Sequence, residues 1–127
     1  MIVKPGEQCF ALNVQRNAFE IGKGKGQLLV IVWEFRVHAS RASEFEQHYG
    51  PEGTWARVFR KAEGYRGTEL VRDTSDGTRY LTLDRWESLA DYERFKREFA
   101  AEYEKIDAGF ESLTANEQLL GRFETIG

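Results

Sequence analysis

The segment Arg79–Ser88, RYLTLDRWES, carries a chemically capable side chain at every second position: Tyr80, Thr82, Asp84 and Trp86. Successive side chains of a strand point to opposite faces, so this alternation sets a phenol, a hydroxyl, a carboxylate and an indole along one side of a sheet. A phenol in that position can hydrogen-bond the hydroxyl or enolate of a ligand. A tryptophan can wall a pocket for a planar ring. The plain alternative for Tyr80 and Trp86 is packing in a core or an interface, where a buried indole N–H still needs a partner. Arg72 lies on the preceding strand and Asp84 on this one, so the two can form a buried ion pair or hold a polar substrate group. On a surface the same pair contributes little. His38 follows the most apolar strand of the chain and titrates near neutrality, which suits a general base, although a lone loop histidine is more often simply solvated. Trp33 shares a strand face with Leu29, Ile31 and Phe35 and reads first as core and second as a substrate contact. Tyr80, His38 and Arg72 are therefore the candidate catalytic groups. Trp86, Trp33 and Asp84 are the candidate substrate contacts.

Composition narrows what these groups can serve. The 127 residues carry a formal net charge of −3, with 31% charged and 13% aromatic residues. A weakly acidic chain with interspersed signs lacks the basic face of a nucleic-acid binder. One cysteine, Cys9, allows no intrachain disulfide, and with only His38 and His48 beside it a structural zinc site has too few ligands. No metal is expected. No apolar run approaches the roughly 20 residues that span a membrane, and the first residues lack a long apolar core of a secretory signal. The expectation is a cytoplasmic protein with no membrane and no nucleic-acid partner. The aromatic share points to a core plus an interface or an aromatic pocket.

The elements that position the site follow from periodicity. QLLVIVWEFRV is a strand apolar on both faces in its first half, hence central and covered on both sides. HASRASEFEQHYG turns into a helix with Ser40 as cap, GPEG interrupts it, and TWARVFRKAEG resumes it with Trp55, Val58, Phe59 and Ala62 on one stripe. Tyr65 falls in the turn after it and packs as a plug. RGTELVRDTSDGTRYLTLDRW reads as a hairpin about Asp76–Gly77. Leu81 and Leu83 are assigned to the helix-packed core, and Tyr80, Thr82, Asp84 and Trp86 to the opposite face. Ser88 with Asp91 starts a helix running from Leu89 to Ile106. EQLLGRFETI closes the chain as a strand, with Gly121 at a bulge or close approach. The order gives an α+β fold, a ferredoxin-like split βαβ antiparallel sheet with helices on one face. The other face, if aromatic, must pack against something, and a second copy of the chain is the simplest cover. Residues 1–27 read as an extension with one short strand and a GKGKGQ connector, and residues 28–127 as the folded domain.

In order along residues 28–126, VIVWEFRV, F-x-x-x-Y-G-P-x-G-x-W, A-E-G-Y-x-G-T-E-L, Y-L-T-L-D-R-W-E-S and Y-x-x-F-x-x-x-F together resemble the antibiotic biosynthesis monooxygenase (ABM) domain family. The resemblance implies a dimeric α+β barrel with a pocket between the sheet and the helices or loops. It implies either oxidation of a phenol-like aromatic by molecular oxygen without a cofactor, or haem degradation, and it leaves open a dimeric barrel that binds or scaffolds without catalysis. Trp86 matches the tryptophan of the family's W-x-S motif, which lines the pocket in haem-degrading relatives. Those relatives also use a helix histidine and a first-strand asparagine; the helix after Ser88 has no histidine and LLVIVWEFRV no asparagine, which disfavours haem degradation. The expected partners are a second copy of the chain and a small aromatic molecule, with no cofactor.

Overall fold

In the computed structural model, which describes residues 27–126, the first strand is β1 (Leu29–Val37). The extension, its short strand, its connector and Cys9 lie outside the described residues. A 3-10 turn over residues 39–41 leads into α1 (Ala42–Tyr49), and α2 (Thr54–Phe59) follows after Gly50–Gly53. The hairpin is β2 (Tyr65–Arg72) and β3 (Arg79–Trp86); then come α3 (Leu89–Glu98), α4 (Ala100–Phe110) and β4 (Thr114–Glu124). The sheet order is β2-β3-β1-β4, all neighbours antiparallel. With helices inserted after β1 and after β3, this is the expected ferredoxin-like split βαβ arrangement.

The faces of β3 are the reverse of the expectation. Tyr80, Thr82, Asp84 and Trp86 are all buried and Leu81 and Leu83 only half so. The register explains it. Leu29 pairs with Trp86, Ile31 with Asp84, Trp33 with Thr82 and Phe35 with Tyr80. These β1 residues belong to one hydrophobic core with Phe45, Tyr49, Trp55, Phe59, Tyr92, Phe95 and Tyr103 from the helices. Residues directly opposite in a ladder share a face. The large rings thus fill the space between sheet and helices, and the smaller Leu81 and Leu83 join Val30, Val32, Val71 and Phe123 on the side away from the helices. Alternation alone marks two faces without saying which is inward.

Local chemistry sets the helix ends. Ser88 Oγ accepts the Asp91 backbone N–H at 3.0 Å and donates to Asp91 Oδ2 at 2.9 Å, so the expected cap forms. The expected single helix beyond it is two. Phe99, at φ −113° and ψ 24°, leaves helical geometry while its ring stacks on Phe95 at 5.2 Å. The break lets α4 turn Tyr103 onto Trp55, 4.9 Å between centroids. Ser40 caps nothing, lying inside the 3-10 turn, and Thr54 Oγ1 meets His48 Nδ1 at 2.8 Å instead of capping α2. On β4 the register slips between Val32 and Trp33, which pair with Gly121 and Leu119, so a bulge stands beside Gly121 as expected.

A second bulge bears on the site. On β2 the register slips between Tyr65 and Gly67, and Gly67 has φ +113°. That conformation is open to glycine and strained for other residues. The extra residue puts Tyr65 and Thr68, three apart, opposite Trp86 and Asp84 on the same face. An added Cβ on Gly67 would meet nothing within 4 Å, so its penalty is purely conformational. Gly67→Ala should lower stability by about 1–2 kcal/mol. Urea unfolding at neutral pH checks this; an unchanged midpoint would mean that the bulge does not need glycine.

Candidate functional site

Along the helix-covered face, β3 contributes Tyr80 at one end and Trp86 at the other, on the order of 20 Å apart at strand rise. The interior end surrounds Asp84. Its side chain is 2% exposed, with Ile31 opposite on β1 and Thr68 opposite on β2. Thr68 Oγ1 donates to Asp84 Oδ1 at 2.7 Å, and Thr68 Oγ1 and the Tyr65 hydroxyl are 2.6 Å apart. Burial pushes the Asp84 carboxyl up to about 6, with the Thr68 hydrogen bond pulling the other way. Tyr103 of α4 lies within electrostatic reach; burial first, and then the charges about it including Asp84, hold its phenol well above its ordinary range. On the same face of the sheet, Thr82 Oγ1, Trp33 Nε1 and Trp86 Nε1 are buried with no hydrogen-bond partner. A buried polar group without a partner costs about 1–3 kcal/mol.

Trp86 itself is enclosed. Its ring lies 5.6 Å from Phe59, 5.4 Å from Tyr65, 5.4 Å from Tyr92 and 5.5 Å from Phe95. Protein rings occupy the surroundings of the indole, and Trp86 is fully buried. Trp33 is likewise 1% exposed.

The other end of the face opens outward. A cleft of about 860 Å³ is lined by Glu46, Gly50, Pro51, Leu70, Arg72 and Tyr80, with the 71–77 stretch of the hairpin completing it. Glu46 Oε2 accepts from the Tyr80 hydroxyl at 2.5 Å and from Arg72 Nη1 at 3.0 Å. Burial, and then the Glu46 bond, raise the Tyr80 pKa, so Tyr80 stays a protonated donor there. Leu70 is the cross-strand partner of Thr82, so the cleft and the interior cell adjoin along β2 and β3.

The expected set of site residues therefore divides. Tyr80 and Arg72 meet in the outer cleft, and Trp33, Asp84 and Trp86 lie in the interior. The expected Arg72–Asp84 pair does not form, because the register sets Arg72 opposite Tyr80 and Thr68 opposite Asp84. His38 is exposed, its backbone N–H bonded to Leu113 O at 3.1 Å, and it lines neither place. Sequence reasoning missed Glu46, which sits on a solvated-looking helix face, and Thr68 and Tyr65, whose shared face depends on the bulge. Among the described residues no group of three or more His, Cys, Asp or Glu could hold a metal ion. No helix of the described residues is long and apolar enough to cross a membrane.

The family sequence model described as "Antibiotic biosynthesis monooxygenase" matches residues 28–105, more than half of the chain. The protein belongs to the antibiotic biosynthesis monooxygenase family. Solved structures share the fold. A candidate antibiotic biosynthesis monooxygenase from Bordetella bronchiseptica is 18% identical with TM-score 0.62, covering 79% of this chain and 98% of its own. SnoaB, a cofactor-independent oxygenase from Streptomyces nogalater, is 16% identical with TM-score 0.62, covering 80% and 94%. PA3566 from Pseudomonas aeruginosa is 15% identical with TM-score 0.59, covering 82% and 99%. None of the curated proteins matches.

The burial of Asp84 has a measurable consequence. Its carboxyl ionises less readily in the folded chain than in the unfolded one, where the ordinary value is 3.8. Between about pH 4 and 6 the folded state holds the extra proton, so stability is highest at the acid end and falls as pH rises through 6, by on the order of 3 kcal/mol in all. Asp84→Asn should be more stable than the parent at pH 8 and should lose this part of the pH dependence. Urea titrations of both proteins from pH 4 to 8 check it; parallel curves would show that Asp84 is not the group responsible.

Proposed function

We propose that the chain is a cofactor-independent oxygenase that uses molecular oxygen on a small aromatic, phenol-like metabolite. The observation that carries this reading is the interior cell: a buried carboxylate on one sheet face with three buried donors that have no acceptor among the described residues. Family membership and the shared fold with a cofactor-independent oxygenase support it. A pKa of about 6 leaves Asp84 ionised at neutral pH and able to take a proton from a phenol or an activated methylene. The Thr82 hydroxyl and the Trp33 and Trp86 N–H groups would then hold the resulting oxyanion in a dry setting. The carbanion gives an electron to oxygen, the radical pair joins as a hydroperoxide, and loss of water leaves a carbonyl. One oxygen atom enters the product and the other leaves as water. The division into an extension, residues 1–27, and a domain, residues 28–127, belongs to the same proposal, supported by a family match that begins at residue 28.

Oxygen uptake with anthrone-like and hydroquinone-like compounds tests the reading. Uptake by the parent protein should rise with pH through about 6, and Asp84→Asn should lower it about 10²-fold. No uptake with any such compound would reject the reading.

A second reading, a non-catalytic small-molecule binder, is favoured by the outer cleft, whose volume fits the usual range of about 300–1,000 Å³ for ligand pockets. There Arg72 and Tyr80 would hold the ligand. Under that reading Arg72→Ala abolishes binding and Asp84→Asn leaves it unchanged; under the first the order is reversed.

The same family fold supports self-association through the sheet face away from the helices. The aromatic row expected there is turned inward, and the surface on offer is the half-buried Val32, Leu81 and Leu83 with Val71 and Phe123, the last 54% exposed. Ion pairs of Arg79 with Glu34 and Asp73, and of Arg36 with Asp76, close the far end of this face. An apolar patch with a charged border suits a homodimer. Leu83→Arg should convert a dimer to a folded monomer in light scattering; an unchanged mass would place the interface elsewhere.

A further inference from the structure

We propose that Tyr65 and Thr68 form the route by which a proton leaves Asp84 for solvent. The inference rests on Asp84 as the proton acceptor proposed above.

Hydrogen-bond logic fixes the direction of the chain. An ionised carboxylate only accepts, so the single hydroxyl proton of Thr68 is committed to Asp84 Oδ1 at 2.7 Å. The 2.6 Å contact between Tyr65 and Thr68 must then have Tyr65 as donor. The resting order is Tyr65 to Thr68 to Asp84. When Asp84 takes a proton, the two bonds can reverse. Asp84 passes its proton to Thr68 Oγ1, Thr68 passes its own to the Tyr65 oxygen, and Tyr65 releases its hydroxyl proton outward. Each hydroxyl gains one proton and loses one, so nothing is oxidised, reduced or left charged along the way.

The chain has an inner and an outer end. Asp84 is 2% exposed, whereas Tyr65 is half-buried at the start of edge strand β2. The Tyr65 hydroxyl feels the charges of Arg60 and Glu52, which pair at 3.0 Å on the surface, with the Glu52 side chain 85% exposed. Glu52 sits in the Gly50–Gly53 turn, whose Gly50 and Pro51 wall the outer cleft. Among the described residues, the other groups facing Asp84 do not offer an equal path. Ile31 on β1 is apolar, and Tyr103 on α4 is itself buried, its phenol held far from ionisation. Arg85, next in sequence, points to the opposite face and pairs with Glu69 at 3.3 Å. Gly67, free to adopt φ +113°, serves this path as well as the local geometry. Without the bulge, a residue three positions from Thr68 would point away from it.

The test follows the proton and not oxygen. A hydroxyanthraquinone, a phenol already too oxidised to react, is mixed with the full-length protein at pH 7 in weak buffer. Its absorbance reports phenolate formation, and a pH-indicator dye reports release to solvent. In the parent, release should keep pace with phenolate formation. In Tyr65→Phe and Thr68→Val the phenolate should still form while release lags at least tenfold, and Thr68→Ser should restore the parent rate. A carboxyl-carbon NMR titration separates relay from support: Thr68→Val should raise the Asp84 pKa, while Tyr65→Phe should leave it unmoved although it slows release. Release that keeps pace with phenolate formation in both variants overturns the route and leaves Asp84 as acceptor. A ligand that stays neutral when bound to the parent overturns both. Because no step uses oxygen, failure of the oxygenase reading shows separately in the uptake assay.

Discussion

Everything else in the fold depends on which side of the β1–β3 ladder faces the helices. Leu29, Ile31, Trp33 and Phe35 pair with Trp86, Asp84, Thr82 and Tyr80, and this row is almost completely buried. Truncating a buried tryptophan or phenylalanine costs about 3–5 kcal/mol, against about 2–5 for a leucine, which favours turning the rings inward. The strand period is indivisible, however. If Tyr80 and Trp86 go in, Thr82 and Asp84 go in with them. The penalty for carrying the carboxylate, on the order of 3 kcal/mol from its raised pKa, is comparable with the contribution of one buried ring.

The structure softens that penalty without removing it. Gly67 allows a bulge, the bulge aligns Thr68 with Asp84 and Tyr65 with Trp86, and one hydroxyl satisfies one carboxylate oxygen. Among the described residues no cation forms an ion pair with it. A core that needed only stability would place a hydrophobe at position 84. Polar groups kept inside a core at a net loss mark functional positions more often than structural ones. Thr82 and the two indole N–H groups on the same face as Asp84 are further examples of the same kind.

The outer cleft uses different physics. Its Glu46 is shared by a phenol and a guanidinium near solvent, where the ion pair with Arg72 is screened and worth little by itself. The short Tyr80–Glu46 bond instead ties α1 to β3 across the end of the core, with Phe45 and Tyr80 rings 5.0 Å apart behind it. The face thus has a buried end at Asp84 and an open end at the Glu46 cleft. Leu70, opposite Thr82 and lining the cleft, lies between them.

The amino-acid sequence by itself determined the element order, the α+β class, the central position of β1, the Ser88 cap and the alternation of Tyr80, Thr82, Asp84 and Trp86. These rest on short-range periods and on turn and cap chemistry, which neighbouring residues specify. Even the family was legible, through the order of motifs from VIVWEFRV to the W-E-S step. What only the tertiary structure decided is which face of β3 is inward, because both faces of a half-apolar strand look alike until something packs on one. It also decided that Arg72 meets Glu46 and not Asp84, since one residue of register moves every cross-strand partner. The break at Phe99 and the bulge at Gly67 are of the same kind. Each is a local departure that the chain accepts because long-range packing, or a long-range hydrogen bond, rewards it.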